Sequence, residues 1–142
     1  MELCYTSLMN NTELRLIDAN LNRLREGIRV VEDIFRYVYN NKEIASKLKE
    51  LRHKSRIKIY TELLNSRDIK NDVLKKSTSS EQKRADLDSI LIANFKRAQE
   101  SSRVLEEICK LDSINESETF KYIRYELYDL EKALINITSN SK

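Results

Sequence analysis

The sequence contains no proline and a single glycine, Gly27. Sheets and turn-rich folds depend on residues that force turns or accept positive φ angles. A chain of 142 residues with so few of them is therefore predicted to consist of long helices with short connections. The same lack excludes a Walker-type phosphate loop and a dinucleotide-binding fold, since each requires glycines at fixed spacing. Any nucleotide must be held by side chains and helix ends.

Histidine and cysteine are scarce as well. The one histidine, His53, excludes a multi-histidine metal site, and Cys4 and Cys109 lack metal-ligand spacing, so both are expected to be idle thiols. No apolar run approaches the roughly 20 residues of a membrane-spanning helix. The first residues show no basic segment followed by an apolar stretch, so we expect no secretory signal and a cytoplasmic location. The 26 basic and 23 acidic residues are interspersed, which is typical of a solvated helix surface and not of a nucleic-acid-binding one.

Apolar residues recur at steps of three and four in the first half of the chain, which predicts two amphipathic helices. The first is expected to begin at Asn11 or Thr12 and to end near residues 40–41. Its apolar face comprises Ile17, Leu21, Leu24, Ile28, Val31, Phe35 and Val38. The second is predicted to run without a break from about residue 41 to residue 65.

A polar connector over residues 66–80 separates these helices from two more. Ser79 or Ser80 is predicted to cap the third helix, with Glu81 in its first turn. Residues 112–117 form a short connection to the fourth helix, which is expected to fray after about residue 138.

The first and third helices contain an internal repeat. Residues 19–36 and 93–110 are identical at eight positions when aligned at a spacing of 74 residues. Apolar periodicity alone would not require the shared polar residues, which in the first copy are Asn20, Arg23, Glu26, Arg29 and Glu32. Duplication is the favoured interpretation, and convergent helix design is the alternative. The predicted fold is one all-α domain over residues 1–142, a four-helix bundle built from two duplicated helical hairpins at about 12–65 and 81–138.

One edge of each repeated helix carries candidate ligand-binding residues. At 100° per residue, Asn20, Arg23 and Gly27 lie along the edge of the apolar stripe, and Asn94, Arg97 and Ser101 lie at the matching edge. Arg23 and Arg97 are predicted to converge on a partly dry cleft, where a guanidinium suits phosphate because its planar fork donates two parallel hydrogen bonds. A mid-helix glycine costs about 1 kcal/mol relative to alanine, so Gly27 indicates close helix contact or ligand approach.

A structural interpretation of the same residues stays open. Arg23 with Glu26, and Arg97 with Glu100, are also ordinary surface pairs three residues apart on a helix. The outer charges are expected to be simple surface, and they are Arg25, Arg29, Glu32, Asp33 and Arg36.

The connector contains two carboxylates, Asp68 and Asp72, four residues apart. They could hold a magnesium ion, which usually takes one or two carboxylates together with phosphate oxygens, or they could be solvated loop residues. His53 could act as a general acid or base, although a lone histidine on a helix is more often a packing or capping residue.

Several motifs, taken together, resemble a helical family of bacterial thiamin biosynthesis. The most specific is the run from Asp18 to Asp33, which begins Asp-Ala-Asn-Leu-Asn-Arg-Leu-Arg-Glu-Gly. Weaker matches follow in order at residues 51–53, 67–73, 77–81, 93–97, 103–107 and 123–132. The resemblance covers residues from about 12 to 135. The family occurs alone or fused in front of thiamin phosphate synthase and is often labelled thiamin-phosphate pyrophosphorylase-like.

The resemblance implies a hydroxymethylpyrimidine phosphate kinase that is unrelated to the ribokinase-like enzyme. It would use ATP and Mg²⁺ to convert the pyrimidine monophosphate to the diphosphate. Arg23, Arg97, Asp68 and Asp72 are expected to be catalytic, with the two aspartates as magnesium ligands. The residues expected to bind substrate or phosphate are Asn20, Glu26, Arg29, Arg52, His53, Arg67, Asn94, Glu100, Arg103, Arg124 and Tyr125.

Two alternatives remain at this point: a non-catalytic accessory domain that docks on thiamin phosphate synthase, and an unrelated helical adaptor. The expected partners are the pyrimidine phosphate, ATP, a separate thiamin phosphate synthase and a second copy of the chain in a homodimer, with no nucleic acid or membrane. The chain departs from the family at Leu74 and Lys75, where Gly-Thr is usual. This favours a stiffer connector than a phosphate loop would have.

Overall fold

A computed structural model describes the backbone of residues 9–79, 81–112 and 114–141, and the side chains of these residues except 114, 115 and 135–141. The described residues form α-helices without any strand, which confirms the all-helical prediction. The helices are α1 (Asn11–Asp33), α2 (Lys42–Lys54), α3 (Tyr60–Ser66), α4 (Leu87–Ile108) and α5 (Ile114–Ser141). A π-helical turn, Ile34–Val38, follows α1, and a 3-10 turn, Cys109–Leu111, follows α4.

Asparagines mark both ends of the first helical segment. The side chain of Asn10, one residue before the predicted cap, accepts a hydrogen bond from the Glu13 backbone N–H at 2.9 Å. After the π-helical turn, Asn40 adopts a left-handed φ of 51°, which asparagine tolerates better than most residues. Asn41 then caps α2 by accepting from the Ile44 N–H at 3.0 Å. The predicted end of the first helix near residues 40–41 is thus confirmed.

The prediction of one unbroken second helix was wrong. The chain leaves the helix at Ser55, whose hydroxyl donates to the Leu51 carbonyl at 2.8 Å, and it re-enters a helix only at Tyr60. Ile57 and Ile59 are both buried in this connection. Burying the two isoleucines on one side requires an extended segment, because residues two apart in a helix point in different directions.

The predicted start of the third helix was also wrong. Helix α4 begins at Leu87, where Asp86 and Ser89 form a reciprocal capping box, with Ser89 N–H to Asp86 Oδ1 at 2.8 Å. Ser80 lies outside the described residues. Glu81 accepts hydrogen bonds from the backbone N–H and the hydroxyl of Thr78 at 3.1 and 2.8 Å, so it stabilises a turn in the connector.

Helices α1 and α4 form the centre of the domain. They pack most extensively on each other, α5 packs against α4, and α2 and α3 pack against α1. Helices α2 and α5 are also in contact. The predicted apolar faces are largely buried, including the large side chains of Phe35, Phe95 and Phe120. Val38, from the predicted apolar face of the first helix, is instead exposed, and so are Leu64 on α3 and Leu87 at the start of α4. Cys109 is buried in this core, and Cys4 lies outside the described residues.

Two general predictions can be compared with this architecture. The four-helix bundle of duplicated hairpins stays a prediction, because the short helix α3 adds a fifth element to the described chain. Within the described residues, no helix is both long enough and apolar enough to span a bilayer.

Candidate functional site

Gly27 allows α1 and α4 to approach closely. A Cβ atom at this position would lie 3.2 Å from the Asn94 carbonyl oxygen and 3.4 Å from the Ala98 Cβ. This confirms the prediction of close helix contact. The approach brings the polar edges of the two helices together beside the contact.

Two clefts meet at Asn20 and Arg23. The interhelical cleft, about 450 Å³, lies between α1 and α4 and is lined by Asn20, Arg23, Glu81, Arg97, Glu100, Ser101 and Val104. The connector cleft, about 380 Å³, lies between α1 and the start of the connector. Its polar lining consists of Thr12, Arg15, Asp18, Asn20, Asn22, Arg23, Arg67, Asp68 and Asp72. The predicted convergence of Arg23 and Arg97 on one cleft is therefore what the structure shows.

The connector is fixed to α1 by an ion pair between Arg67 and Asp18. Arg67 Nε donates to Asp18 Oδ2 at 2.8 Å, and its Nη2 donates to Oδ1 at 2.9 Å. The hydrogen bonds and charge of Asp18 raise the pKa of Arg67. Arg15 adds a second tie by donating to the Asp68 carbonyl at 2.8 Å. Asp18 was not among the predicted site residues, although it is the first residue of the most specific sequence motif.

The two connector carboxylates line the same cleft. Asp68 Oδ2 accepts from the Asn71 side chain at 2.6 Å, and Asp72 Oδ1 accepts from the Leu74 N–H at 3.0 Å. The Asn71 side chain, its backbone N–H and the charge of Arg15 hold the pKa of Asp68 below its ordinary value. The described residues contain no group of three potential metal ligands. Two carboxylates are a suitable set of protein ligands for Mg²⁺, which completes its coordination with waters and phosphate oxygens. The neighbouring arginines could bind those phosphates.

Arg52 and Arg124 each form a buried ion pair with a glutamate, and the two pairs have matching geometry. Arg52 donates to Glu32 through Nε at 2.7 Å and Nη2 at 3.2 Å. Arg124 donates to Glu106 through Nη2 at 2.8 Å and Nε at 3.3 Å, and this pairing raises its pKa. The expectation that Glu32 is simple surface was wrong, because only 1% of this residue is exposed. Arg103 also pairs with Glu106, at 2.9 Å.

The other predicted site residues lie apart from the connector carboxylates or have local roles. Asn20 and Asn94 have equivalent positions, and each side-chain amide donates to the carbonyl four residues earlier, at 3.0 and 2.8 Å. Glu26 is exposed on α1. Arg29 pairs with Asp33 at 3.3 Å on the surface.

His53 and Tyr125 are exposed on α2 and α5. Desolvation and the charges of Arg52, Arg56 and Lys49 lower the pKa of His53. The guanidinium carbon of Arg124 lies 5.0 Å from the centre of the Tyr125 ring. Neither residue is brought to the junction of α1, α4 and the connector.

The fold and the paired clefts define a helical domain with a charged junction that contains arginines and carboxylates. Comparison with known proteins identifies its family. The ThiD2 family matches residues 15–133, and the chain belongs to this family.

Similar proteins include enzymes named thiamine-phosphate synthase. The protein of Nostoc punctiforme is 40% identical over 122 residues, which cover 85% of this chain and 35% of that protein. The Synechocystis sp. protein is 39% identical over 122 residues, or 85% of this chain and 36% of its own length. The Rhodopirellula baltica protein is 34% identical over 146 residues, or 96% and 39%.

The chain thus spans little more than a third of the length of these relatives. No solved structure matches it significantly. The relatives agree with the resemblance that the sequence motifs indicated.

Proposed function

We propose that this chain acts in thiamin biosynthesis as an ATP-dependent hydroxymethylpyrimidine phosphate kinase. The observation that carries the proposal is the position of Arg23, which lines both clefts between the connector carboxylates on one side and Arg97 on the other. Two phosphate-bearing molecules must meet in this reaction, and two adjoining polar clefts of about 380 and 450 Å³, each lined by arginines, provide a place for each.

The reaction needs little covalent chemistry from the protein. A phosphate oxygen of the pyrimidine monophosphate attacks the γ-phosphorus of ATP, and the bond from that phosphorus to the β–γ bridging oxygen breaks. ADP leaves with the electron pair, and the pyrimidine diphosphate is formed. Positioning and charge neutralisation are the main requirements of phosphoryl transfer. Arg23 and Arg97 supply fixed positive charge, and Arg15 and Arg67 hold the connector against α1.

Asp68 and Asp72 are the residues that would hold magnesium. The ion would neutralise charge on the phosphates of the nucleotide. Asn71 orients the Asp68 carboxylate by donating to its Oδ2 at 2.6 Å, and the same hydrogen bond lowers the pKa of Asp68.

The direct test mixes purified protein with hydroxymethylpyrimidine phosphate, ATP and magnesium and follows ADP and the diphosphate product. Arg23→Gln and Asp68→Asn are each expected to lower kcat/KM by about 100-fold, as loss of a charged group at a reacting phosphate does. The matched control is Arg36→Gln, because Arg36 is exposed and stacks on Tyr37 at 4.9 Å. Absence of turnover by folded protein, with thiamin phosphate synthase present to consume product, would exclude the kinase.

A second candidate is an accessory domain that docks on thiamin phosphate synthase. It is favoured by three apolar connector side chains, Ile69, Val73 and Leu74, which are 72%, 92% and 85% exposed. Such exposed apolar residues are often covered by a partner. Binding to separately purified synthase that is lost in Val73→Asp with Leu74→Asp supports this function, and equal binding by the double variant contradicts it. Family membership argues against the third alternative, an unrelated adaptor.

We also propose that the domain arose by duplication of a helical hairpin. The Glu32–Arg52 and Glu106–Arg124 pairs support this, because their glutamates are 74 residues apart, as are the repeated motifs. Each pair uses the same two arginine nitrogens to join a central helix to its partner. Proteins that retain only one hairpin as a dimer would support the duplication.

A further inference from the structure

The connection between α2 and α3 presents positive charge in a fixed position. Ser55, Ile57 and Ile59 are buried, and the alternate residues Arg56 and Lys58 are exposed. Since the buried isoleucines anchor the extended backbone to the core, the two cations are held on the opposite side. An unbroken helix, as the sequence had predicted here, would have dispersed them.

These cations line a basic cleft of about 320 Å³ beside α1, which we define by Arg25, Arg56 and Lys58. Arg67 and Asp18 also line it, and they line the connector cleft as well, so their ion pair is a wall between the two clefts. Both carboxylate oxygens of Asp18 already accept hydrogen bonds from Arg67. The Asp18 carboxylate is therefore already paired with Arg67 and does not neutralise the other cations of the cleft.

The cations of the basic cleft lack anionic partners. Among the residues that the structure describes, Arg25, Arg56 and Lys58 form no ion pair, and the buried Nε of Arg25 has no hydrogen-bond acceptor. Burial and the neighbouring charges of Arg56 and Arg52 lower the pKa of Arg25. A buried donor without a partner is unfavourable, so an anion that accepts from the Arg25 Nε–H and neutralises the neighbouring cations would stabilise this arrangement.

In the second repeat copy, the chain itself supplies a partner at the equivalent position. Gln99 stands 74 residues after Arg25 and is buried. Its side-chain amide donates to Glu131 Oε1 at 2.7 Å, and Lys96 donates to the same oxygen at 3.1 Å. The donor in the second copy is the neutral amide of Gln99, which is paired with a glutamate. The donor in the first copy is the charged guanidinium of Arg25, whose neighbours are further cations.

We propose that the basic cleft is a binding site for a phosphate group, with Arg25, Arg56 and Lys58 as its ligands. The Arg25 Nε–H donates to one phosphate oxygen, and the exposed heads of Arg56 and Lys58 neutralise the remaining charge. Arginine suits this task because its rigid fork matches the geometry of phosphate oxygens. The site is separate from the clefts of the proposed kinase, and it does not depend on that reaction.

The experiment titrates inorganic phosphate and inorganic pyrophosphate, each without ATP, into isotopically labelled protein. It follows the Arg25 Nε–H signal by NMR in the unchanged protein, and the backbone N–H signals of residues 55–59 in every variant. Saturable movement of the Arg25 signal by either anion supports the proposal, and the tighter anion identifies a monophosphate or a diphosphate group as the preferred ligand. Arg25→Gln, which copies the residue of the second repeat, is expected to weaken binding at least about tenfold, since a charge-assisted hydrogen bond is lost. Arg56→Gln is expected to weaken binding as well, and it changes only an exposed residue.

The control variant, Arg36→Gln, removes the same charge from an exposed position on the π-helical turn. It is expected to leave binding unchanged. Without phosphate, Arg25→Gln is expected not to lower the thermal midpoint, because it removes a half-buried positive charge that forms no ion pair and has cations as neighbours. No movement of the Arg25 signal with either anion would overturn the proposal, as would equal weakening by Arg25→Gln and Arg36→Gln.

Discussion

Substitution of Glu32 by glutamine tests whether the paired glutamates and arginines hold the flanking helices onto the central ones. Glu32 lies on α1, and its carboxylate receives two hydrogen bonds from Arg52 on α2. Its side chain is 2% exposed and that of Arg52 is 14% exposed. Glutamine preserves the volume and can accept one hydrogen bond, but it leaves the guanidinium charge without a counter-ion.

The magnitude follows from this burial. Removing one partner of a buried ion pair costs about 3–5 kcal/mol, because the other charge stays desolvated. Water reaches part of Arg52, so we expect Glu32→Gln to lower the free energy of unfolding by about 3 kcal/mol, the low end of that range. For a domain of this size that loss corresponds to a fall in Tm of about 12 °C. Replacing both partners, Glu32→Met with Arg52→Met, is expected to cost less than the single change, since no charge is then left buried.

Urea unfolding followed by far-ultraviolet circular dichroism measures these differences. Lys47→Gln is the matched control. Lys47 pairs with Glu43 at 3.4 Å on the surface of α2, the helix that also carries Arg52. Its expected cost is below about 0.5 kcal/mol. A cost below about 1 kcal/mol for Glu32→Gln would refute the reasoning, as would a double variant less stable than the single one.

Three further predictions concern the central helices and the end of α2. Gly27→Val should lower stability by about 2 kcal/mol in urea unfolding, since its side chain would meet the Asn94 carbonyl; unchanged stability would contradict the close helix contact. Asp86→Ala should cost about 1 kcal/mol by the same measurement, because it removes the cap on the Ser89 N–H, and Asp88→Ala is the control on the same turn. His53 should titrate below 6.5 by NMR, because desolvation and neighbouring cations lower its pKa, and high salt should move its titration midpoint upwards. Since the folded protein then binds fewer protons than the unfolded chain, His53 lowers stability as the pH falls below 6.5; a midpoint above 6.5 would contradict this sign.

The helical class and much of the core could be predicted because they depend on local pattern. A chain without proline and with one glycine has few residues that favour turns. Apolar residues at steps of three and four form one face of a helix, and that face is buried because its exposure to water is unfavourable. This reasoning identified Leu24, Ile28 and Phe35 as core residues, and all three are fully buried. It also placed Arg23 and Arg97 on edges that face each other.

Helix ends and charge partners were predicted less well, because they depend on competing contacts. Residues 55–59 are compatible with a helix in the sequence, but burial of Ile57 and Ile59 favours an extended segment. Asp86 caps α4, although serines earlier in the connector carry an equally good capping signal. Glu32 looks like a surface charge in sequence, since nothing nearby in the chain indicates that Arg52 lies across from it.

Composition, periodicity and motif order can be read along the chain, so they suffice to predict that it is helical, internally repeated and similar to one family. Which charges are free to meet a ligand depends on the three-dimensional fold. Arg52 and Arg124 are neutralised by glutamates from other helices, whereas Arg23 and Arg25 face clefts. The physical reason is that the cost of a buried charge depends on partners distant in the sequence, and folding alone brings those partners together.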